Sequence, residues 1–275
     1  MSSANDNNLA LFCDFENIAL GVRDEKQAKF DINWVLERLL VKGSIVVKKA
    51  YCDWGRYKEF KATMHEAAFE LIDIPHVRMS GKNSADIRMV VDALDLCYTK
   101  SHVNTFVIIS GDSDFSPLVS KLRENAKTVI GVGVKNSTSD LLISNCDEFI
   151  FYDDIVREQT QKTTKKKARP AKARTTKRKA SKAKPKEVKQ EDKKQEGIDL
   201  ALEIATVLDA ERGDQDKLWG SMVKQALKRV KPSFNEGYYG FESFSKLLEE
   251  AQARGQLDLE LDERSGGYII RKVVN

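Results

Sequence analysis

The chain has 275 residues, with 46 Lys or Arg against 42 Asp or Glu and a formal net charge of +4. At roughly 100–200 residues per domain, this length suggests two domains. Its apolar runs are too short for a membrane-spanning helix, and the polar start MSSANDNN lacks the pattern of a secretory signal. The four cysteines are widely spaced without a CxxC pair. This predicts reduced thiols in a cytoplasmic protein, and neither a disulfide framework nor a zinc site.

The positive charge is concentrated in one segment. Residues 157–196 contain 17 basic and 5 acidic residues, a net charge of +12, which leaves −8 for the rest of the chain. With no aromatic and almost no aliphatic side chains, this segment buries too little surface to offset its ordering entropy. We expect a disordered linker between one domain at residues 9–155 and another at residues 197–275. The linker is either a solubilising spacer or a polycation that binds the phosphates of a nucleic acid.

Residues 9–155 alternate between short β-branched runs and stretches of helical periodicity. This alternation predicts an α/β fold, in which a parallel sheet carries helices on both faces. The predicted strands are 9–13, 45–52, 105–109, 129–134 and 149–152, with a weaker strand at 70–74. The predicted helices are 31–41, 57–69, 84–98, 117–125 and 139–144.

Acidic clusters follow two of the predicted strands, in the sequences CDFEN and SGDSDF. In parallel sheets, ligands bind beyond the carboxyl ends of the strands, where the strand order reverses. A single Asp after a strand is usually a turn former or a helix cap. Two such clusters after separate buried strands favour a shared acidic site. Their polar members are Asp14, Glu16 and Asn17 in the first, and Ser110, Asp112, Ser113 and Asp114 in the second.

The predicted helix at 84–98 supplies a further carboxylate. On a wheel of 100° per residue, Asp86 falls within the apolar arc, whereas Asp92 and Asp95 share the polar arc with Arg88. An unpaired buried carboxylate is costly. Asp86 is therefore either a cap or dipole partner at the start of the helix or a member of the acidic site. We expect the second, and we expect Asp92 and Asp95 to face solvent.

Several carboxylates in one pocket repel one another by roughly 1–4 kcal/mol per close pair at about 4 Å. A divalent cation removes that repulsion, and oxygen ligands without His or Cys favour Mg²⁺ or Mn²⁺ over zinc. A site of this kind beside a polycationic segment predicts phosphodiester chemistry. The metal would activate water, stabilise the leaving oxygen, or do both.

Residues 9–155 resemble the NYN domain, a branch of the PIN-like nucleases. The resemblance rests on LFCDFEN, GKNSADIRMVVDAL, VIISGDSDFSPLV and NCDEFIFYDDI. It implies a metal-dependent endoribonuclease that hydrolyses RNA, with a preference for single strands. The catalytic, metal-binding residues that it implies are Asp14, Asp86, Asp112 and Asp114. The residues that it implies for positioning water, metal or phosphate, or for binding substrate, are Asn17, Lys82, Ser110 and Ser113. It assigns no role to Glu16.

Residues 197–275 show three helical apolar stripes, followed by an alternating segment that turns at SGG and returns. Three helices and a hairpin predict a small winged helix-turn-helix domain. The run PSFNEGYYGFESFSKLLEEA resembles the LOTUS, or OST-HTH, domain, which implies RNA binding or docking to a protein partner. One basic group is either an ordinary solvated face or a phosphate contact. It consists of Lys224, Lys228, Arg229 and Lys231.

Two other classes of function remain open from the sequence. One is a non-catalytic RNA-binding adaptor. The other is a haloacid-dehalogenase-like phosphatase, because CDFEN and GDSD are similar to its acidic strand ends. That chemistry prefers Asp at both positions of a DxD motif, and the second position here is Glu16. Trp54, in a loop before Gly55, is expected to pack in the core, with stacking on a base as the alternative.

Overall fold

The chain forms two compact units, Met1–Thr163 and Thr164–Asn275. The computed structural model describes residues 7–24, 30–75, 83–167, 185–210, 217–263 and 265–273. No helix in these ranges is long and apolar enough to cross a membrane.

A six-stranded parallel sheet forms the centre of the first unit. Its strands are β1 (Asn8–Asp14), β2 (Ser44–Cys52), β3 (Glu70–Asp73), β4 (Thr105–Ile109), β5 (Thr128–Gly133) and β6 (Glu148–Phe151). Across the sheet they run β3-β2-β1-β4-β5-β6, and every neighbouring pair is parallel. The predicted parallel sheet is confirmed. Each strand begins and ends within one residue of its predicted position. The strand order reverses between β1 and β4, which is where such sheets bind ligands.

Helices cover both faces of this sheet, as the sequence predicts. They are α1 (Phe15–Asp24), α2 (Ile32–Leu40), α3 (Lys61–Glu66), α4 (Ser84–Thr99), α5 (Ser116–Glu124), α6 (Asp140–Asn145) and α7 (Tyr152–Lys167). Successive residues of β1 point to opposite faces. Leu11 therefore joins the core under α1, α2, α3 and α7, and Phe12 joins the core under α4, α5 and α6.

Three helices differ from the sequence prediction, because α1 and α7 were not predicted and α3 is shorter than expected. The unpredicted α1 begins directly after β1, because the Asp14 carboxylate accepts a hydrogen bond from the Asn17 N–H at 3.3 Å and caps the first turn. The helix expected at 57–69 is a 3₁₀ turn, Lys58–Phe60, followed by the short α3. Soon after α3 ends, Ala68 adopts a left-handed φ of 58°, which a continuing helix does not allow.

The orientation of α4 corrects the helical wheel. Met89 and Ala93 are buried, whereas Ile87 and Val91 are 63% and 56% exposed. The buried line of α4 therefore follows smaller or more flexible side chains and leaves β-branched ones in solvent. On the helical wheel Ile87 and Val91 fall within the apolar arc, so hydrophobic periodicity alone predicts that they are buried.

Asp92 does not lie on a solvent face, contrary to the prediction, and its side chain is only 14% exposed. Its carboxylate accepts hydrogen bonds from the buried Tyr51 hydroxyl and from Arg88 Nε, both at 2.9 Å, and Lys49 Nζ lies 3.6 Å away. The polar partners supplied by β2 replace water, so a carboxylate can occupy this position. Asp95 is exposed, as predicted.

The segment predicted as a linker, residues 157–196, differs from that prediction at both ends. Helix α7 continues to Lys167, and a further helix, α8, begins at Pro185. Lys, Glu and Gln are good helix formers, so they extend helices even where the composition offers no core. Residues 168–184 lie outside the described residues.

The second unit combines three helices with a three-stranded antiparallel sheet. These elements are α8 (Pro185–Ala210), β7 (Leu218–Trp219), α9 (Gly220–Val230), α10 (Phe244–Ala253), β8 (Leu257–Leu261) and β9 (Tyr268–Val273). The strand order is β7-β9-β8. The expected three helices and the β8–β9 hairpin are present, and β7 is an additional strand. The hairpin turn places Gly266 at a φ of 68°, a conformation that favours glycine.

Replacing Asp92 is expected to destabilise the fold. Asp92→Ala should lower the free energy of unfolding by about 1–3 kcal/mol, because the buried Tyr51 hydroxyl loses its acceptor. Asp95→Ala, on the exposed side of the same helix, should change it by no more than about 0.5 kcal/mol. Urea unfolding followed by circular dichroism measures both variants. Equal effects would contradict a stabilising Asp92–Tyr51 contact.

Candidate active site

A cavity of about 280 Å³ opens at the carboxyl edge of the sheet, beside the reversal between β1 and β4. It is lined by five carboxylates and one side-chain amide, and no Lys or Arg of the described ranges lines it. These six residues are Asp14, Glu16, Asn17, Asp53, Asp86 and Asp112. The structure thus brings together Asp14, Asp86 and Asp112, which the sequence places in three separate elements.

Asp14 is the most buried of these carboxylates, with 8% of its surface exposed. One carboxylate oxygen accepts a hydrogen bond from the Ser110 hydroxyl at 3.0 Å, and the other accepts one from the Asn17 N–H. Burial, followed by the charge of Asp86, raises the pKa of Asp14 to about 7, although both hydrogen bonds oppose this. Near neutral pH, Asp14 is therefore easily protonated or neutralised by a cation.

Asp86 and Asp112 face the same cavity from different elements. Asp86 lies in the first turn of α4 and is half-buried. Burial, and then the charges of Asp112, Asp114 and Glu16, raise the pKa of Asp86. Asp112 caps the 3₁₀ turn after β4, since its carboxylate accepts a hydrogen bond from the Asp114 N–H at 2.9 Å. Negative charges thus accumulate here without a compensating cation from the described residues that line the cavity.

Ser110 and Asn17 connect the two acidic loops. The Ser110 hydroxyl donates to Asp14 and also accepts a hydrogen bond from the Asp112 N–H at 3.2 Å. The Asn17 side-chain oxygen accepts a hydrogen bond from the Gly111 N–H at 2.9 Å. Ser110 is completely buried. Its hydroxyl contacts Asp14 and the backbone of Asp112, and the role that the resemblance implies for it, positioning water, metal or phosphate, stays a prediction.

Other expected site residues do not line the cavity. Neither Asp114, which is exposed, nor Ser113 lines it, although the charge of Asp114 contributes to the raised pKa of Asp86. Lys82 lies outside the described residues. The basic residues Lys224, Lys228 and Arg229 belong to α9 of the second unit, where Lys224 Nζ lies 2.5 Å from Glu236 Oε1.

Asp53 lines the cavity but was not among the expected site residues. It directly follows β2, so the rule that identified the other two clusters also applies to it. Trp54 is buried at 1% exposure, and its ring centroid lies 5.0 Å from that of Phe15. Trp54 therefore packs in the core, as predicted from the sequence, and does not stack on a base.

The donor set of the cavity suits a hard divalent cation. In the described part of the chain, no three His, Cys, Asp or Glu side chains are already arranged around a metal position. Mg²⁺, however, is usually held by one or two carboxylates and keeps several waters, so it requires no closed cage. Burial and neighbouring carboxylates raise the pKa values of Asp14 and Asp86, and oxygen ligands of this kind fit such an ion. Asp14, Asp86 and Asp112 could hold it.

Comparison with known proteins places this fold in a family. The family model of the NYN domain matches residues 8–153, more than half of the chain. The chain belongs to the NYN family. NYN domains are part of the PIN-like nuclease superfamily.

Two other proteins are similar to part of this chain. The uncharacterized protein MJ0482 of Methanocaldococcus jannaschii is 26% identical over 163 residues, which is 59% of this chain and 62% of that protein. This chain therefore spans less than two thirds of that relative. A crystal structure of the protein of unknown function VPA0982 from Vibrio parahaemolyticus has a TM-score of 0.50 and 26% identity. That match covers 56% of this chain and 98% of the other.

Removing the Asp14 charge should stabilise the metal-free protein at alkaline pH. Its folded pKa of about 7 lies above the value of about 3.9 for an unfolded Asp, so folding disfavours the ionised form. This destabilisation is complete above the folded pKa and disappears as the pH falls below about 4. At pH 8 in chelator, Asp14→Asn should raise the free energy of unfolding by about 1–4 kcal/mol.

The increase in the free energy of unfolding caused by Asp14→Asn should become smaller towards pH 5, where the Asp14 carboxyl of the wild type is largely protonated. Urea unfolding at both pH values measures it, with Asp95→Asn as the control for loss of an exposed charge. An Asp14→Asn protein that is less stable than wild type by the same amount at both pH values would contradict a destabilising Asp14 charge.

Proposed function

We propose that this NYN protein is a metal-dependent endoribonuclease that hydrolyses phosphodiester bonds of RNA, preferably in single strands, with Mg²⁺ or Mn²⁺. The observation that carries the proposal is the cavity in which the buried Asp14 faces Asp86 and Asp112. Membership of a nuclease superfamily supports it. A cavity lined by carboxylates repels a phosphodiester unless a cation lies between them, which is the arrangement that metal-assisted hydrolysis requires.

Three carboxylates of the chain would hold the metal, and two other residues would position them. When bound, a divalent ion supplies Lewis-acid stabilisation of a phosphoryl oxygen and an activated water. Asp14 contributes a carboxylate fixed from both sides by Ser110 and Asn17. Asp86 approaches from α4, and Asp112 approaches from the turn after β4. Because each carboxylate is held by a different element, the backbone sets the spacing of the ligands.

We also propose that the second unit, together with the basic segment at residues 157–196, binds RNA or docks a protein partner. The +12 charge of residues 157–196 suits the sequence-independent neutralisation of phosphates. The three helices and hairpin of the second unit are consistent with a winged helix of the LOTUS type. On α9, Lys224, Lys228 and Arg229 are the candidates for phosphate contacts.

Cleavage of labelled single-stranded RNA tests the catalytic proposal. Asp14→Asn, Asp86→Asn and Asp112→Asn should each reduce kcat by at least about 100-fold, because amides bind divalent cations far more weakly than carboxylates. Chelator should abolish cleavage, and Mn²⁺ or Mg²⁺ should restore it. Asp95→Asn is the matched control for Asp86→Asn, since it removes an exposed charge from the same helix.

The alternatives give different results in the same assay. RNA binding without cleavage at either metal would identify a non-catalytic adaptor. Removal of a terminal phosphate with an intact chain would indicate phosphatase chemistry. Wild-type cleavage by Asp86→Asn would contradict the shared metal site.

Truncation separates the proposed catalytic and binding parts. A protein ending at Thr163, the last residue of the first unit, should still cleave generic RNA, because Asp14, Asp86 and Asp112 all precede that point. Its affinity for RNA should fall, and the slope of log affinity against log salt should become shallower. Fluorescence anisotropy over a salt series measures this, with thermal melting to verify folding. An unchanged slope would support the spacer interpretation of the basic segment.

A further inference from the structure

A second cavity of about 390 Å³ adjoins the acidic one. Leu20 of α1 lines both cavities. An ion pair also connects them, because Glu16 of the acidic cavity lies 2.9 Å from Arg56 Nη1 of the second cavity. The two cavities are therefore direct neighbours, with α1 between them.

The wall of the second cavity includes two aromatic rings held in place from behind. Tyr57 and Phe60 are half-buried and line the cavity. Both pack against the buried Phe15 ring in edge-to-face fashion, with centroid distances of 5.6 and 5.1 Å. Because Phe15 fixes the orientation of both rings, a planar ligand would meet a surface that is already ordered.

Two arginines supply positive charge to the same cavity. Arg23 and Arg56 line it, and their side chains are 74% and 51% exposed. Glu59 is the one carboxylate among its described lining residues. Burial, followed by the charge of Glu16, raises the pKa of Tyr57 to about 12, so its hydroxyl remains a neutral donor. The cavity thus combines aromatic surface with guanidinium groups, in contrast to the acidic cavity beside it.

We infer that the second cavity is a subsite for one unpaired nucleotide of the substrate, next to the bond that is cut. The base would stack on Tyr57 or Phe60, and the phosphate would bind Arg56 and Arg23. The volume lies within the roughly 300–1,000 Å³ of small-ligand sites. This inference rests on the proposed nuclease function and names the residues that would select a single strand. Bases in a duplex are stacked and paired, so only a single strand presents a base to such a cavity.

This subsite also gives Glu16 a role, as a positioning residue. The Glu16 carboxylate accepts a hydrogen bond from the Arg56 guanidinium at the border of the two cavities. A phosphate of the substrate would compete for the same guanidinium, which binds phosphate and carboxylate with similar geometry. Arg56 would then contact the strand on the side away from the metal site.

Binding of a short labelled single-stranded RNA to the full chain, in chelator, tests this subsite without cleavage. Arg56→Gln should weaken binding several-fold and reduce the slope of log affinity against log salt by about 0.7, the value for one lost phosphate contact on a single strand. Tyr57→Leu should weaken binding about tenfold with an unchanged slope, because stacking releases no counterions. Tyr57→Phe should bind like wild type.

Arg38→Gln is the matched control for Arg56→Gln. Arg38 is also about half exposed and also lies near a glutamate, with Glu158 at 3.7 Å, but it lines neither cavity. The same RNA in duplex form should bind wild type and Tyr57→Leu equally. Thermal melting shows whether Tyr57→Leu is folded. If it is not, RNA binding by Arg56→Gln decides the outcome, because Arg56 is exposed and its replacement should leave the fold intact.

If both Arg56→Gln and Tyr57→Leu bind single-stranded RNA as tightly as wild type does, the subsite is overturned. It is also overturned if Tyr57→Leu loses as much affinity for the duplex as for the single strand. A parallel cleavage assay with Mn²⁺ separates this failure from failure of the nuclease proposal. If the wild type cleaves RNA and both variants bind it with normal affinity, the subsite is wrong and the nuclease proposal stands. Weakened binding by both variants, with a wild type that never cleaves, supports the subsite and contradicts the nuclease.

Discussion

Asp14 ends β1 at the centre of the sheet, and its carboxylate is 8% exposed with other carboxylates close by. Ser110 and Asn17 hold it there and also bind the backbone of the loop after β4. The two acidic loops are therefore one connected unit, fixed by neutral hydrogen bonds. Burial and repulsion by neighbouring carboxylates raise the pKa of Asp14 to about 7, so folding disfavours its ionised form. A proton or a cation relieves that repulsion, which is a common relation between stability and function.

Helix α1 divides two cavities of opposite character. Glu16 and Asn17 face the acidic cavity, Arg23 faces the second cavity, and Leu20 contributes to both. The position of α1 follows from the strand order, because β1 lies at the reversal and its helix starts directly at the carboxyl edge. A polyanionic strand crossing this edge would meet guanidinium and aromatic groups on one side of α1. On the other side it would meet carboxylates suited to a metal.

Much of the fold and part of the candidate site could be predicted from the sequence. Parallel strands end at one edge, so the sequence sufficed to bring Asp14 and Asp112 together. The wheel indicated Asp86 for the cavity but misplaced Asp92, because periodicity cannot show that the Tyr51 hydroxyl offers a buried partner. Arg56 and Tyr57 lie in an irregular loop, where no periodic pattern shows which way a side chain faces. The place of Tyr57 depends on packing against Phe15, and that of Arg56 on its ion pair with Glu16, and both partners are distant in sequence.

The most direct test of the central claim is the anomalous scattering of Mn²⁺ in crystals of the full chain grown at pH 8. Asp14 is largely ionised at that pH, so it can bind a cation. We predict an anomalous peak in the acidic cavity, in contact with the carboxylates of Asp14, Asp86 or Asp112, that is lost in Asp14→Asn. A well-ordered cavity without a peak at millimolar Mn²⁺, or a peak only elsewhere, would contradict the account.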